Sequence, residues 1–535
     1  MPPADTTATT DSTVTTHRRI HEAIAPWVQR QPEHLAVQDA QYRLSYQQLW
    51  AVSDALAQRL QQAGVRAGDR LLVVGENCAA ACALFVAASK LDAWVSIVNA
   101  RLSEREIAQF KAHSGARRVV YLTHVSPEAV VHARHAEAVG WDTPVGALGL
   151  GPLNAQAQPE PCSAGPAEQV AALVYTSGTT GNPKGVMLTH ANLLFVAQSA
   201  RDIRQIGPQD VVYGVLPMAH VVGLSTQFLG SLCAGASLLL EARFTPEAAA
   251  RALREQGVTM LVGVPALFAR LLEWSRAQQQ PLNAPALRLI GVAGSPLTPS
   301  LKGQVEQALG QTLQNGYGLT ETGPTIAQTR GAPRTDCAVG QPIPGVEVSL
   351  RGSGGAGGAG GVPVAAGQVG ELWVRSPGRM RGYYRDAATT AQVVDAEGWF
   401  NTGDMARQGA DGALEVVGRS KELIIRSGLN VYPVEVEQVL NSHAAIVQSA
   451  VVGREVADNE EVVAFVEVKS GHTPDLAALR EWLRGQLSPY KLPSEIRVVQ
   501  ALPAAPTGKI LKHVLKTWAQ QPEAAPPSDQ PVVQK

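Results

Sequence analysis

The segment YTSGTTGNPKG, from Tyr175 to Gly185, contains three glycines, four hydroxyl side chains of Ser and Thr, and one lysine. The apolar run LVY at 173–175 predicts a short strand, and the residues after it predict a turn. Glycines let several backbone N–H groups point at one place, hydroxyls add donors, and Lys184 adds a positive charge, so the turn suits phosphate oxygens. A solvated loop is the alternative, but the density of donors beside one lysine disfavours it.

The spacing differs from that of the nucleotide loop of P-loop NTPases, G-x-x-x-x-G-K-[ST]. Two residues separate Gly181 from Lys184, and Gly185 occupies the position where that motif has Ser or Thr. The kinase and ATPase functions that depend on that loop are therefore not expected.

Strand and helix patterns alternate on both sides of this segment. Upstream, RLLVVG at 70–75 is typical of a buried strand, the apolar run at 78–90 of a buried helix, and VVYL at 119–122 of another strand. Downstream, TMLVGVP at 259–265 lies between two helical patterns. Alternation of this kind predicts an α/β fold, with a large N-terminal domain of parallel sheets and helices on their faces.

From about residue 340 the predicted strands become shorter and indicate a small β-barrel-like subdomain. Within it, the glycine-rich tract 352–361 predicts a mobile surface loop without chemistry of its own. After Gly418, helix and strand patterns over about 100 residues predict a smaller, mobile α+β C-terminal domain. The predicted boundaries are a disordered arm at 1–16, a large domain at 17–417, a hinge at 418–422, a small domain at 423–518 and a disordered tail at 519–535.

The chain has 535 residues, too many for one hydrophobic core, and a formal net charge of -1. This balance gives no reason to expect nucleic acid or an anionic membrane surface as a partner. Five cysteines without a repeated spacing favour a reducing compartment, and the apolar run from Cys78 stops at Lys90, too early for a membrane span. The polar N-terminus has no signal-peptide or transit-peptide pattern, so we expect the cytoplasm.

Further motifs follow the opening segment in a fixed order. They are NGYGLTETGP at 315–324, GELWVRS at 370–376, GWFNTGD at 398–404, GRSKELIIRSGLNVYPVEVE at 418–437 and PTGKILK at 506–512. Together with YTSGTTGNPKGVMLTH at 175–190, they resemble the adenylate-forming (AMP-binding) superfamily, which includes acyl-CoA synthetases, peptide-synthetase adenylation domains and beetle luciferases. The resemblance covers about residues 17–516 and favours the acyl- and aryl-CoA ligase branch.

The resemblance implies a reaction in two steps. A carboxylate attacks the α-phosphorus of ATP to give acyl-AMP and pyrophosphate, and the thiol of coenzyme A then gives acyl-CoA and AMP. Because an anion must approach a polyanion, cations and oriented donors should contribute most of the catalysis. The expected partners are a small carboxylic acid, ATP, Mg²⁺ and coenzyme A, and a homodimer is possible.

The residues that the resemblance assigns to ATP and AMP come from distant segments. They are Thr176, Ser177, Gly178, Thr179, Thr180, Gly181 and Lys184 for the phosphates; Gly294, Ser295, Pro296, Asn315, Gly316, Tyr317 and Gly318 for adenine; and Asp404 and Arg419 for the ribose and phosphates. In this assignment Tyr317 stacks on adenine. The two oxygens of Asp404 suit the two ribose hydroxyls.

The resemblance also assigns the catalytic groups. Lys509 matches the catalytic lysine, Thr320 contacts the α-phosphate, Glu321 binds Mg²⁺, and His220 gates the acid pocket, although a packing histidine is the alternative. Lys421 matches the hinge about which the small domain turns. The residues expected to line the coenzyme A channel are Ser427, Gly428 and Leu429.

The acid pocket is expected near residues 220–224, 292–296 and 316–323. Its assigned residues are His220, Val222, Gly223, Gly316 and Gly318. These segments contain no Asp for an amino group and no Arg for a second carboxylate, so they favour an apolar acid, either aromatic or arylpropenoic or a medium-chain fatty acid. A free-standing enzyme that loads a carrier protein and a catalytically silent nucleotide-binding regulator are the alternatives.

Overall fold

The computed structural model describes residues 18–177, 183–352, 361–427, 429–456, 459–469, 475–504 and 510–521. Several predictions lie outside these ranges: the arm at 1–16, the residues 178–181, most of the glycine-rich tract, Gly428, Lys509 and most of the tail. The last described helix continues to Gln520, beyond the predicted boundary at 518, because its Ala519 packs in a buried apolar cluster.

The helices of the described ranges are numbered in chain order. They are α1 (Ile20–Arg30), α2 (Tyr46–Gln62), α3 (Ala79–Lys90), α4 (Glu104–Ser114), α5 (Pro127–His135), α6 (His190–Arg204), α7 (Gly230–Leu232), α8 (Pro246–Glu255), α9 (Pro265–Ala277), α10 (Pro299–Leu309), α11 (Ala387–Val393), α12 (Pro433–Ser442), α13 (Leu476–Arg484) and α14 (Lys512–Gln520). A π-helical segment, Val222–Leu229, directly precedes α7, and 3₁₀ turns cover Thr320–Thr322, Ser420–Glu422 and Pro489–Lys491.

The strands are numbered in the same way. They are β1 (Leu35–Gln38), β2 (Arg43–Ser45), β3 (Arg70–Gly75), β4 (Trp94–Asn99), β5 (Arg118–Tyr121), β6 (Val139–Thr143), β7 (Gly146–Leu150), β8 (Val170–Ser177), β9 (Pro183–Thr189), β10 (Val211–Gly214), β11 (Ser237–Leu240), β12 (Met260–Gly263), β13 (Leu289–Ala293), β14 (Leu313–Gly318), β15 (Thr325–Gln328), β16 (Gln341–Pro342), β17 (Glu347–Arg351), β18 (Gly370–Arg375), β19 (Gly382–Tyr383), β20 (Phe400–Gln408), β21 (Leu414–Arg419), β22 (Ile424–Arg426), β23 (Leu429–Val431), β24 (Ile446–Val456), β25 (Asn459–Val468) and β26 (Glu495–Val499).

Two large sheets form the N-terminal part of the molecule. One has the strand order β19-β9-β8-β4-β3-β5-β7-β6, with a parallel centre from β8 to β5. The other has the order β16-β15-β14-β13-β12-β10-β11-β1-β2, and its strands from β14 to β1 are parallel. These parallel centres confirm the predicted α/β class, and antiparallel strands complete the edges.

The largest apolar core contains residues of both large sheets and the helices beside them. Helix α3 lies within it, since all of its residues from Ala79 to Ser89 are buried. A helix that is apolar on every side belongs in such an interior. The prediction of a buried helix for the run at 78–90 is therefore confirmed, and no helix in the described ranges is both long and apolar enough to cross a membrane.

A smaller β region and a separate C-terminal unit follow. Strands β17, β18, β20 and β21 form an antiparallel sheet in that order. In the C-terminal unit, the sheet β24-β25-β26 packs against α12, α13 and α14 around its own apolar clusters. The smaller α+β unit that the sequence predicts is thus confirmed as an arrangement of strands and helices.

Candidate functional site

The segment from β14 to the following 3₁₀ turn is central to the site. Strand β14 pairs with the parallel strand β13 on one side and with the antiparallel strand β15 on the other. At its end, a side chain on Gly318 would lie 1.5 Å from the carbonyl oxygen of Pro324, so only glycine fits this close approach. The close turn directs Tyr317 and Glu321, four residues apart, toward two different groups of side chains.

The first group contains Tyr317, Asp404 and Arg419. Asp404 on β20 and Arg419 on β21 are direct partners in register, and Arg419 Nε lies 3.2 Å from Asp404 Oδ1. The Tyr317 hydroxyl donates a hydrogen bond of 2.5 Å to Asp404 Oδ2. Burial and the charge of Asp404 raise the pKa of Tyr317 well above its usual value, so the hydroxyl remains a donor.

The second group contains Lys184, Tyr383 and Glu321. Strand β19 pairs with β9 so that Tyr383 lies opposite Val186, and Lys184 Nζ is 5.1 Å from the centre of the Tyr383 ring. The Tyr383 hydroxyl donates a 2.8 Å hydrogen bond to Glu321 Oε1. Burial and the neighbouring Glu321 raise the pKa of Tyr383, which keeps this hydroxyl protonated.

We refer to these two groups together as the rim: Lys184, Tyr383, Glu321, Tyr317, Asp404 and Arg419. The structure thus places Lys184 and Glu321 around Tyr383, and Asp404 between Arg419 and Tyr317, and the segment 317–321 contributes to both groups. Thr176, at the end of β8, is the register partner of Lys184. Tyr383 was missed by sequence reasoning, because its position follows from the pairing of a two-residue strand with β9.

A cavity opens beside the rim. Its lining residues are Arg204, Val222, Thr226, Val262, Gly291, Val292, Ala293, Gly294, Gln314, Gly316, Tyr317, Gly318, Pro324, Thr325 and Gln328. Of the residues assigned to the acid pocket by sequence, Val222, Gly316 and Gly318 line it. We refer to this space as the acyl cavity.

The other two assigned pocket residues lie elsewhere. A side chain on Gly223 would lie 2.4 Å or less from the carbonyl oxygens of Leu216 and Pro217. Gly223 therefore allows two backbone segments to pack closely, and it does not line the cavity. His220 precedes the π-helical segment and is exposed to solvent, although surrounding protein still lowers the pKa of its imidazole through desolvation. At neutral pH His220 is therefore an uncharged imidazole.

Among the polar lining residues that the sequence did not predict, three form one chain of hydrogen bonds. Arg204 ends helix α6, and its Nη2 donates to Gln328 Oε1 at 3.2 Å. Gln328 Nε2 in turn donates to Gln314 Oε1 at 2.8 Å. The expectation that the pocket lacks an arginine is corrected, because the end of a helix far from the motifs reaches this space.

The residues assigned to adenine lie at the ends of β13 and β14. Gly294 has a φ of +87°, which favours glycine, and Ser295 and Pro296 are exposed. Asn315 is 4% exposed, and its Nδ2 donates to the Cys337 carbonyl at 2.8 Å. Its amide nitrogen therefore supports the local fold, and contact with adenine stays a prediction for this segment.

The assigned hinge lies in the 3₁₀ turn Ser420–Glu422, where the side chain of Lys421 is exposed. Lys512, at the start of α14, lies 3.0 Å from Glu422 Oε2 and 2.8 Å from Glu437 Oε1. These ion pairs join the end of the turn to the C-terminal unit. The turn is therefore fixed to that unit from Glu422 onward.

Two of the residues assigned to the coenzyme A channel are described. Ser427 and Leu429 are exposed, and the backbone N–H of Ser427 donates to Asn459 Oδ1 at 2.7 Å. Ser427 has a φ of +51°, so the turn between β22 and β23 is tight. Gly428 and the catalytic candidate Lys509 lie outside the described residues.

A metal ion at this site would need ligands beyond the protein. Among the described residues, no group of three or more His, Cys, Asp or Glu side chains is placed to hold one. Glu321 offers a carboxylate whose Oε1 is oriented by Tyr383. One carboxylate plus phosphate oxygens is a usual way to bind Mg²⁺, so the residues fit this ion together with ATP.

Comparison with known proteins identifies the family of the chain. Residues 24–384 match the AMP-binding enzyme family, and residues 435–509 match the AMP-binding enzyme C-terminal domain. The chain is 32% identical to the indoleacetate–CoA ligase of Aromatoleum aromaticum, over 91% of this chain and 96% of that protein. It is 31% identical to a feruloyl-CoA synthase of Amycolatopsis sp., over 90% of this chain and 95% of that protein.

The crystal structure of ATP-bound MatB from Rhodopseudomonas palustris superposes with a TM-score of 0.81. It is 28% identical and covers 93% of this chain and 98% of that chain. The fold agrees with both family matches. The chain therefore belongs to the adenylate-forming AMP-binding enzyme family, in the branch of acyl- and aryl-CoA synthetases.

Proposed function

We propose that this enzyme joins an aromatic or arylpropenoic acid to coenzyme A through an acyl-adenylate. The general activity is that of an AMP-forming acid–CoA ligase that uses ATP, Mg²⁺ and coenzyme A. The observation that carries the proposed roles is that one short segment, 317–321, contacts both halves of the rim. Tyr317 binds Asp404, and Glu321 binds Tyr383 beside Lys184.

In the first step, the rim orients ATP and offsets the negative charge of the phosphates. Asp404 accepts hydrogen bonds from the ribose hydroxyls, with Arg419 and Tyr317 fixing its carboxylate. Lys184 supplies a positive charge toward the phosphates, and Thr320 donates to the α-phosphate. Such pre-oriented charges stabilise the transition state because they need no rearrangement as the reaction proceeds.

Glu321 would hold Mg²⁺ together with phosphate oxygens, while Tyr383 fixes the carboxylate. When bound, the ion neutralises charge on the phosphates, which favours the approach of the carboxylate anion. His220 is uncharged at neutral pH, is exposed, and precedes the π-helical segment. We assign it the gating of the acid pocket, and Lys509 the bridge between the acid and the α-phosphate.

In the second step, the C-terminal unit turns about Lys421 so that Ser427, Gly428 and Leu429 line the path of the thiol. The exposure of Lys421 supports this role, because its backbone can change without losing side-chain packing. Lys512 ties Glu422 to Glu437, so the residues after the hinge would move as one body.

The small residues of the acyl cavity support a flat, compact acid. At Gly294 and Gly316 an added methyl group would have no neighbour nearer than 3.6 Å, so these positions leave space at the ends of β13 and β14 for a flat group. Relatives named for indoleacetate and feruloyl-CoA also support an aromatic acid, and a medium-chain fatty acid is the alternative. The cytoplasmic location and the homodimer stay predictions from the sequence.

A panel of acids tests this proposal. Pyrophosphate release and AMP formation would be measured for aromatic, arylpropenoic and medium-chain acids, with coenzyme A or an acyl carrier protein as acceptor. We expect acyl-AMP with aromatic acids and thioester with coenzyme A. Thioester with the carrier protein alone would favour the loading enzyme, and no pyrophosphate with any acid would favour the silent regulator.

The variant Lys421→Pro separates the two steps. It should keep acyl-AMP formation and block thioester formation, because proline fixes φ at the hinge. The exposed Lys111 on α4, far along the chain from the hinge, offers the control Lys111→Ala, which should affect neither step. Equal loss of both steps in Lys421→Pro would contradict the hinge assignment.

A further inference from the structure

The acyl cavity contains the positive charge of Arg204, a half-buried residue, and the proposed reaction does not use this charge. Arg204 ends α6 and lines the cavity with Gln314 and Gln328. Its Nη2 donates to the neutral amide of Gln328, and its Nε is buried without a hydrogen-bond partner. In the described part of the chain, no carboxylate forms an ion pair with Arg204.

Other inward-facing arginines are satisfied by the protein itself. Arg70 is 2% exposed and donates to the backbone carbonyls of Gly68, Ser114, Gly115 and Gln158. Arg117 is 9% exposed and donates to the backbone carbonyls of Gly64 and Asn154. Arg204 differs from both, because its Nε is buried without a partner and the residue lines a cavity.

The charge on Arg204 persists at neutral pH. Desolvation lowers its pKa to about 10, which is still well above pH 7. A buried charge without an opposite charge is unfavourable, and a buried donor without an acceptor adds to that cost. A substrate group that accepts hydrogen bonds, above all an anion, would remove both penalties at once.

We propose that Arg204 selects acids that carry a second oxygen-bearing group at the end remote from the reacting carboxylate. This inference rests on the proposed function, since it assigns the acyl cavity to the acid. A guanidinium presents a planar fork of donors that matches a carboxylate and also reaches a phenolic oxygen. Gln328 and Gln314 hold the fork in place through their own hydrogen bonds.

Matched acids with one skeleton test the proposal. Cinnamate, 4-hydroxycinnamate and 4-carboxycinnamate would be compared by kcat/KM for AMP formation in the wild type and in Arg204→Met. The wild type should prefer an oxygen-bearing acid over cinnamate by about 10- to 100-fold, the usual range for a hydrogen bond to a charged group. In Arg204→Met this preference should disappear through a raised KM for the oxygen-bearing acids, while cinnamate is little affected.

Comparison of 4-hydroxycinnamate with 4-carboxycinnamate shows which kind of oxygen-bearing group Arg204 binds. A larger effect of Arg204→Met on 4-carboxycinnamate indicates an anionic group, and a larger effect on 4-hydroxycinnamate indicates a phenol. Arg204→Lys keeps the charge without the fork and should retain part of the preference. Arg201→Met is the matched control on the same helix, because Arg201 pairs with Asp202 outside the cavity and should leave all three acids unchanged.

Two further readouts separate selectivity from folding and from catalysis. The Tm of Arg204→Met should stay equal or rise, since the variant removes an unpaired buried charge. Binding of the oxygen-bearing acids, measured as a Tm increase without ATP, should be lost in Arg204→Met only. If the wild type binds these acids but forms no AMP with any acid, the proposed function fails and the selectivity stands.

The proposal itself is overturned by any of three results. One is a wild-type preference for cinnamate over both oxygen-bearing acids. The second is an unchanged preference in Arg204→Met. The third is a lower Tm in Arg204→Met with an equal loss for all three acids, because Arg204 would then be structural.

Discussion

The rim and the acyl cavity lie side by side but differ in how their polar groups are satisfied. In the rim, Arg419 pairs with Asp404, Tyr383 bonds to Glu321, and Lys184 lies against the ring of Tyr383, with its Nζ 5.1 Å from the ring centre. In the cavity, Arg204 keeps a donor without a partner. The difference indicates that the rim is pre-organised to bind ATP. In the cavity, by contrast, a particular acid would supply the hydrogen-bond partner that Arg204 lacks.

The largest effect is expected for Lys509, the catalytic lysine that the family resemblance assigns to acyl-AMP formation. Lys509→Ala should slow acyl-AMP formation by about 100- to 1,000-fold, the usual loss when one charge-stabilising donor is removed from an active site. ATP binding should be largely kept, because Lys184, Asp404 and Arg419 remain. Single-turnover pyrophosphate release and ATP titration would measure the two effects separately, and loss of ATP binding would contradict the division of roles.

The next effect concerns the organisation of the rim itself. Asp404→Asn removes the charge that faces Arg419 and the strongest acceptor for the Tyr317 hydroxyl. We expect the KM for ATP to rise by about 10- to 100-fold, because hydrogen bonds to a charged group are lost. The ratio of kcat/KM between different acids should not change, and a change in that ratio would show that the rim and the cavity are not independent.

A smaller effect should be confined to the cavity. In Gly316→Ala the new methyl group has no protein atom nearer than 3.8 Å, so the fold accepts it and the cavity becomes narrower. The KM for bulky aromatic acids should rise by about 10-fold, as expected for one methyl group in a substrate pocket. The Tm and the KM for ATP should be unchanged.

Gly318→Ala is the contrasting variant in the same strand. Its methyl group would lie 1.5 Å from the Pro324 carbonyl oxygen, so it should lower the Tm as well as the activity. If both variants lower the Tm equally, Gly316 does not face open space.

The smallest effect is expected for His190, a motif residue that belongs to neither the rim nor the acyl cavity. His190 is the last residue of the motif YTSGTTGNPKGVMLTH at 175–190 and is fully buried. Its Nδ1 accepts a hydrogen bond from the Ile20 N–H at 3.2 Å. Burial lowers the pKa of His190 to about 3, so the folded state holds it neutral while the unfolded state binds a proton below about pH 6.5. Its stabilising contribution is therefore complete above pH 6.5 and decreases as the pH falls.

Between pH 7.5 and 5.5, the wild type should lose about 1 kcal/mol more unfolding free energy than His190→Gln, which does not titrate. Denaturant unfolding at the two pH values would measure the difference. If the unfolding free energies of the two proteins change equally between these pH values, His190 binds a proton as readily in the folded state as in the unfolded state.

Sequence reasoning identified most of the rim residues but few of the polar residues that line the acyl cavity. Lys184, Glu321, Asp404 and Arg419 lie in the segments whose motifs carry the family resemblance, so each could be assigned from its neighbours in the sequence. Tyr383 has no such spacing, since it enters the site through the pairing of β19 with β9. Gly223 was assigned to the pocket from its neighbours, whereas its contact with the Leu216 and Pro217 carbonyls depends on the turn of the backbone.

The sequence by itself determined the α/β class, the smaller C-terminal unit and the chemistry directed at a triphosphate. Periodicity and local spacing are enough for these features, because they depend on neighbouring residues and on chemical groups that the reaction cannot replace. The tertiary structure alone decided that the end of α6 brings Arg204 against β14 and β15. The environment of Arg204, including the absence of an opposite charge among the described residues, arises from the packing of distant segments. No local sequence pattern predicts such packing.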